Sequence, residues 1–366
     1  MIGRSKLDWS GVALSLVLAS QLFSSGPAAG SEPIRIGVVG EMSGMGGSKL
    51  PAGAAVAIAV DLALADAKSS GTLKQDFTVD KRDDICRPDL AATIAREMAD
   101  REKKVGLVIG HSCPSASLAA SQVYREKGIL QIDPATTDPV LTEQQRGKPS
   151  VIFRVAERQD RAAAIAVIAL RNQIAGKNVS LVGGNLQKTW FERFRSLAAG
   201  TGGVSPTDVV PDRNAGSGIT IVYDPMNRID LASTGNRDDV YGVFGPDDRV
   251  GVKSGDGAKI KRLAERLRQA GYSAPLGPAI NAYASIQVWV SAMNAAQSTD
   301  TDKVAEQMRK LHFDTIRGPI AFDETGDVQQ PVITIVRFQN PIIEVPNQCN
   351  EPVCKDCKCG DCCPKK

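Results

Sequence analysis

The chain has 366 residues, 42% of them hydrophobic and 23% charged, which gives it room for two core-bearing domains and excludes a disordered chain. A net charge of only +3 leaves no electrostatic footprint for nucleic acid, and aromatics at 5% are too sparse for base-stacking platforms.

In chain order, Arg4 and Lys6 precede an apolar stretch over 12–23. That stretch has about the length of a signal-peptide core and is too short to span a bilayer. Ala28-Ala29-Gly30 offers the small residues a signal peptidase reads. Residues 1–30 are therefore expected to be a cleaved signal peptide that exports the mature protein. Residues 34–39 (IRIGVV) form a buried-strand run, followed by a Gly- and Ser-rich loop over 40–50 and an Ala- and Leu-rich helix over 52–67. A strand-like run at 77–79 leads into Asp-Asp-Ile-Cys at 83–86. An amphipathic helix is predicted over 89–103, with Ala91, Ile94, Ala95 and Met98 inward. A buried strand at 105–109 ends on Gly110 and Cys113, a helix follows over 115–126, and a second buried strand at 129–132 ends in the small-residue turn DPATTDP. This βαβαβαβ alternation predicts a parallel sheet with right-handed crossovers.

A strand over 151–155 leaves this first unit, and helices over 160–173 and 186–198 flank a strand at 179–182. Between 200 and 218 Gly, Pro, Asp and Asn dominate and the periodicity fails, so a loop is expected there. Strands are predicted at 219–223, 240–244, 320–322 and 332–338, and helices at 258–270, 279–296 and 301–311. From 346 the chain is a polar tail holding six of the eight cysteines, at 349, 354, 357, 359, 362 and 363. Such thiols bind Zn²⁺ or Cu(I) when reduced and form local disulfides in an oxidising compartment. The spacing matches no zinc-finger template, and no metal or cofactor is assigned.

Strands that empty into short Gly, Ser and Thr loops ahead of helices are where open α/β sheets bind small polar ligands, because backbone N–H groups are free there and the helix dipole favours an anion. Nothing in the sequence reads as an enzyme. His111 and His312 belong to no metal-binding helix motif or nucleophile elbow, Gly37-x-x-Gly40 is no dinucleotide fingerprint, and no Walker A pattern exists.

IGVVGEMSG at 36–44, DDIC at 83–86, VIGHSC at 108–113, DPATTDP at 133–139, AINAYASIQVWVSAM at 279–293 and IRGPIAFDETGDV at 316–328 resemble, in this order and spacing, the bacterial branched-chain amino-acid binding proteins. These are the periplasmic receptors of an amino-acid ABC importer. The resemblance covers roughly residues 33–198 and 218–338. It implies a type I periplasmic-binding-protein fold, α/β with parallel sheets flanked by helices, in two lobes joined by three crossing strands and closing over a ligand by hinge motion. Lobe 1 is expected over 33–154 and 247–323, and a shortened lobe 2 over 155–246 and 324–345. The family also carries a disulfide where Cys86 and Cys113 fall. Such a bridge stabilises by roughly 3–4 kcal/mol in the chain-entropy model. The partners implied are a small amino acid and the importer's membrane permease, with the receptor itself a monomer.

The resemblance also implies the site. The ligand carboxylate would meet Ser115 or Ser117 after Cys113, where this chain has Pro114 in place of the family's serine; Ser115 reads equally as a plain helix N-cap. The ammonium would meet the Ala135 carbonyl and the Thr137 hydroxyl in the loop with Thr136, a stretch that is also an ordinary turn signal. Ser43 and Gly44 could line the cleft, with no aromatic in the loop to cover it. Trp190 reads either as a cleft aromatic of lobe 2 or as core. The acidic partner for the ammonium is expected at Asp224, with Asp247 second, although Asp224-Pro225 also opens a turn. Pro114 and the shortened lobe 2 leave an alternative: a degenerate relative acting through protein contacts or metal capture by its tail.

Overall fold

A computed structural model describes residues 32–43, 51–100, 105–183, 187–199, 203–207, 218–223, 239–245, 257–272, 276–338 and 343–345. The expected signal segment, Gly44, Asp224, Asp247 and the cysteine-rich tail lie outside them.

The first half is built on β1 (Ile34–Gly40), α1 (Ala52–Ser69), β2 (Phe77–Asp83), α2 (Pro88–Asp100), β3 (Leu107–Gly110), α3 (Pro114–Lys127), β4 (Gln131–Asp133), α4 (Val140–Glu143) and β5 (Ile152–Arg154). Its five strands form a parallel sheet in the order β2-β1-β3-β4-β5. The period-2 alternation of each strand sorts its side chains between two cores. Ile36 and Val38 of β1 and Leu107 and Ile109 of β3 face one cluster, which holds most of α1. Val39 and Val108 face the opposite cluster, formed with α2 and α3. The order reverses at the β1–β3 boundary, and such a switch point opens a crevice beyond the carboxyl ends of the strands. Gly110 is required there: its φ is +140°, and a Cβ would come within 2.1 Å of the Val39 carbonyl.

The second half contains α5 (Gln159–Ile174), β6 (Val179–Val182), α6 (Lys188–Leu197), β7 (Val204–Thr207), β8 (Ile219–Tyr223) and β9 (Val240–Phe244). The chain then returns to pack α7 (Gly257–Gln269), α8 (Gly277–Ala296), α9 (Thr301–Lys310) and the hairpin β10 (Phe313–Thr315)–β11 (Gly318–Ile320) into the core of the first half. Finally β12 (Thr334–Arg337) and β13 (Ile343–Val345) join the second sheet, whose order is β13-β12-β9-β8-β6-β7. Here β6 to β9 are parallel, while β12 runs antiparallel to both β9 and β13, so the sheet is mixed. Ile219, Ile221 and Tyr223 of β8 face α5 and α6 in one core, and Val222 faces the other side.

The stretch expected to be a loop between 200 and 218 contributes a strand. β7 pairs with β6 from Val179↔Val204 to Val182↔Thr207. As an edge strand it has one partner, so it tolerates Pro206 and shows no alternation to read.

Candidate functional site

The crevice is shaped from below by Asp133, the last residue of β4. Its fully buried carboxylate accepts the N–H groups of Ala135 (2.8 Å) and Thr136 (2.7 Å) through Oδ1, and the Ser117 hydroxyl donates to Oδ2. Gln131 Nε2 supports this from below, donating to Ser117 Oγ (3.3 Å) and the Gly110 carbonyl (2.6 Å). Burial pushes the Asp133 carboxyl up, against the pull of these donors. The loop is fixed from its other sides as well. Asn281 Nδ2 donates to the Pro134 carbonyl (3.0 Å), and the Thr137 carbonyl accepts the Gln159 N–H (3.0 Å) at the start of α5.

Above this loop lies a narrow cleft. Pro134, Ala135 and Thr137 line it from the first sheet, and Gly277, Pro278 and Asn281 from the first turns of α8. Tyr223 at the tip of β8, Gly245 after β9 and Ile333 before β12 close it from the second half, with Ala156 and Glu157 on the segment between the halves. The buried Tyr223 hydroxyl faces that of Thr137; burial and the Glu157 charge raise its pKa, so it stays a neutral phenol. Glu157 Oε1 accepts the Val332 N–H (2.9 Å) and Arg317 Nη2. Burial raises the Glu157 carboxyl, and Arg317 opposes the rise. Arg317 sits at the tip of the β10–β11 hairpin and also donates to the Val155 carbonyl.

A second charged cluster braces the segments that join the halves. Arg154 donates to Asp327 Oδ1 through Nε (2.8 Å) and Nη2 (2.6 Å), and Arg158 Nη1 donates to Oδ2 (2.9 Å). The Thr142 hydroxyl bonds the same carboxylate (2.9 Å). Burial alone would raise the Asp327 carboxyl, but Arg154 and Arg158 outweigh it and hold it below the usual carboxylate value. The backbone follows the side chains: the Arg154 N–H donates to the Gly326 carbonyl (2.9 Å). Gly326 has φ +84°, and a Cβ there would lie 2.3 Å from the Ile152 carbonyl.

Of the residues singled out in the sequence, Ala135 and Thr137 line this cleft. Thr136 shares their loop with its side chain buried and its carbonyl accepting from Arg154. Ser117 faces Asp133, and Ser115 is exposed on the first turn of α3, with Pro114 at its start. The N–H and hydroxyl of Ser43 both donate to Asp83. Trp190 is fully buried and stacked between Phe194 (5.0 Å) and Tyr223 (4.7 Å), so it stands behind a cleft residue. Cys86 and Cys113 are joined as a disulfide, with Cα atoms 5.4 Å apart. Sequence reasoning missed Tyr223, Glu157 and Asn281. The strand-tip rule could have marked Tyr223, the last residue of its predicted strand. Glu157 precedes Arg-Gln-Asp and reads as a solvated charge.

The model of the periplasmic binding protein family matches residues 33–189 and 212–340. A Leu/Ile/Val-binding protein homolog 1 of Brucella suis is 26% identical over 378 residues, covering 91% of this chain and 96% of its own. Among solved structures, an ABC transporter substrate-binding protein from Desulfitobacterium hafniense in complex with Leu superposes with a TM-score of 0.66 at 16% identity, covering 86% of this chain and all of its own. A solute-binding protein of an ABC transporter from Rhodopseudomonas palustris, in complex with 3,4-dihydroxybenzoic acid, gives 0.64 at 20% identity, covering 83% and 93%. These relatives are binding proteins, not enzymes. With two sheets of this order joined by crossing segments, and a family match over most of its length, the chain belongs to the type I periplasmic binding proteins, among the relatives of the branched-chain amino-acid binders.

Proposed function

We propose that this protein is a periplasmic receptor that closes two lobes over a small amino acid, branched-chain or similar, and delivers it to the membrane permease of an ABC importer. The observation that carries the reading is the cleft itself. A loop held by Asp133 offers the Ala135 backbone and Thr137 hydroxyl, and Tyr223 and Ile333 approach from the other half. Pro134, Ala156, Pro278 and Ile333 supply an apolar wall suited to an aliphatic side chain. Ser115, exposed at the start of α3, is the remaining hydroxyl for the carboxylate; Ser117 acts through Asp133, and Trp190 by backing Tyr223. The lobes divide as 33–154 with 247–323, and 155–246 with 324–345. Residues 1–30 serve export. Among the described residues no helix is long and apolar enough to cross a membrane.

Isothermal titration with leucine, isoleucine, valine and the other amino acids tests this. Binding of at least one is expected, and at 100 times its Kd that solute adds about 2.7 kcal/mol to stability. Folded protein that gives no heat with any of a broad solute panel overturns the reading.

A further inference from the structure

We propose that Glu157 is the carboxylate that accepts the solute's ammonium, with Asn281 Oδ1 and the Thr137 hydroxyl as its other two acceptors; this rests on reading the cleft as an amino-acid site. Among the described residues that line the cleft, Glu157 is the sole carboxylate. Both of its donors, Arg317 Nη2 and the Val332 N–H, converge on Oε1, and Oε2 receives neither. Arg317 in turn holds the Val155 carbonyl, so the acid is anchored on the same segment that carries it.

Asn281 adds an independent observation. Its Nδ2 is committed to the Pro134 carbonyl at 3.0 Å, which fixes the amide and leaves Oδ1 as the remaining polar side-chain atom of a cleft-lining residue. That oxygen is buried and has no hydrogen-bond partner among the described residues. A buried acceptor without a donor is unfavourable unless a ligand supplies one. An ammonium carries three donors and no acceptor, which suits a cleft lined by the Glu157 carboxylate, the Asn281 amide oxygen and the Thr137 hydroxyl. A carboxylic acid without the amine would leave the Glu157 carboxylate and Asn281 Oδ1, which can only accept, with no donor. Charge agrees: Glu157 is already balanced by Arg317, so a net-neutral ion pair faces a net-neutral zwitterion.

The test compares the tightest-binding amino acid of a full panel with its des-amino analogue, the same carboxylic acid with hydrogen in place of the amine, by titration and competition on the full chain. The wild type is expected to prefer the amino acid by about 30-fold or more. That ratio should collapse toward one in Glu157→Gln, and likewise in Glu157→Gln with Arg317→Met, which removes both buried charges together and guards against misfolding of the single variant. A purely structural role would lower the affinity for both ligands and leave the ratio unchanged. An unchanged ratio in the variants overturns the assignment, as does a wild-type ratio near one while an amino acid still binds. A wild type that binds no amino acid overturns the functional reading as well.

Discussion

Asp133 is charged chemistry put to shaping a loop: no atom of it meets solvent, yet the two N–H groups it accepts decide where Ala135 and Thr137 stand. Asp133→Ala would leave both donors buried without an acceptor, and each such loss costs about 1–3 kcal/mol. The expected outcome is a fall of about 3 kcal/mol in unfolding free energy, read by urea titration, with a solute affinity at least about tenfold weaker because the loop is no longer held. An Asp133→Ala protein of wild-type stability would show that the turn holds itself. At the same scale, the aromatic Trp190 reads in sequence as cleft or core with equal right. It becomes core because Tyr223 occupies the cleft side of the stack at 4.7 Å.

Among the elements, the segments between the halves carry the firmest electrostatics. Asp327 is nearly inaccessible and is gripped by Arg154 and Arg158, so its carboxyl titrates below its ordinary value. A carboxyl lowered on folding stabilises the fold above its unfolded pKa, and that contribution is lost as pH falls through the folded pKa. Stability is therefore expected to decline below about pH 4. Asp327→Asn should cost about 3–5 kcal/mol at neutral pH by leaving the buried Arg154 guanidinium without its carboxylate, while Arg158 keeps Glu143 and Asp160, and should flatten the acid limb of the stability profile. Equal acid limbs in both proteins would remove Asp327 from the account. The Cys86–Cys113 bridge joins the end of β2 to the start of α3 across 27 residues. Replacing both cysteines with alanine is expected to lower stability by about 3–4 kcal/mol in oxidising buffer and to change nothing under reducing conditions. β7 marks the boundary of what the pattern reveals: one partner strand at a sheet edge imposes no alternation, so Val-Ser-Pro-Thr reads as loop.

At the level of the whole molecule, the chain leaves the first sheet after β5, returns to it through α7, α8 and α9, and leaves again for β12, so each half is assembled from segments far apart in sequence. Binding in a cleft lined from both halves should favour their closure, and a drop in radius of gyration by X-ray scattering on adding the solute is the expected signature. No change at saturating solute would mean that the halves stay fixed as they bind.

Local pattern was enough for the alternation of strands and helices and for the loop at 135–137, and the resemblance of its motifs pointed to the family. Buried strands are continuous apolar runs, helices repeat every three to four residues, and turns need Pro, Gly and Asp, all of which are properties of neighbours along the chain. Tertiary structure alone decided that β12 runs antiparallel in its sheet, that β7 is a strand, and that Glu157, held by Arg317, meets Tyr223 and Asn281 around one space. Glu157 lies on a crossing segment, and Arg317 at a hairpin tip, Tyr223 at a strand end and Asn281 at a helix start are between 66 and 160 residues from it. No periodicity links residues so distant; only the packing of two sheets about shared crossings brings them together.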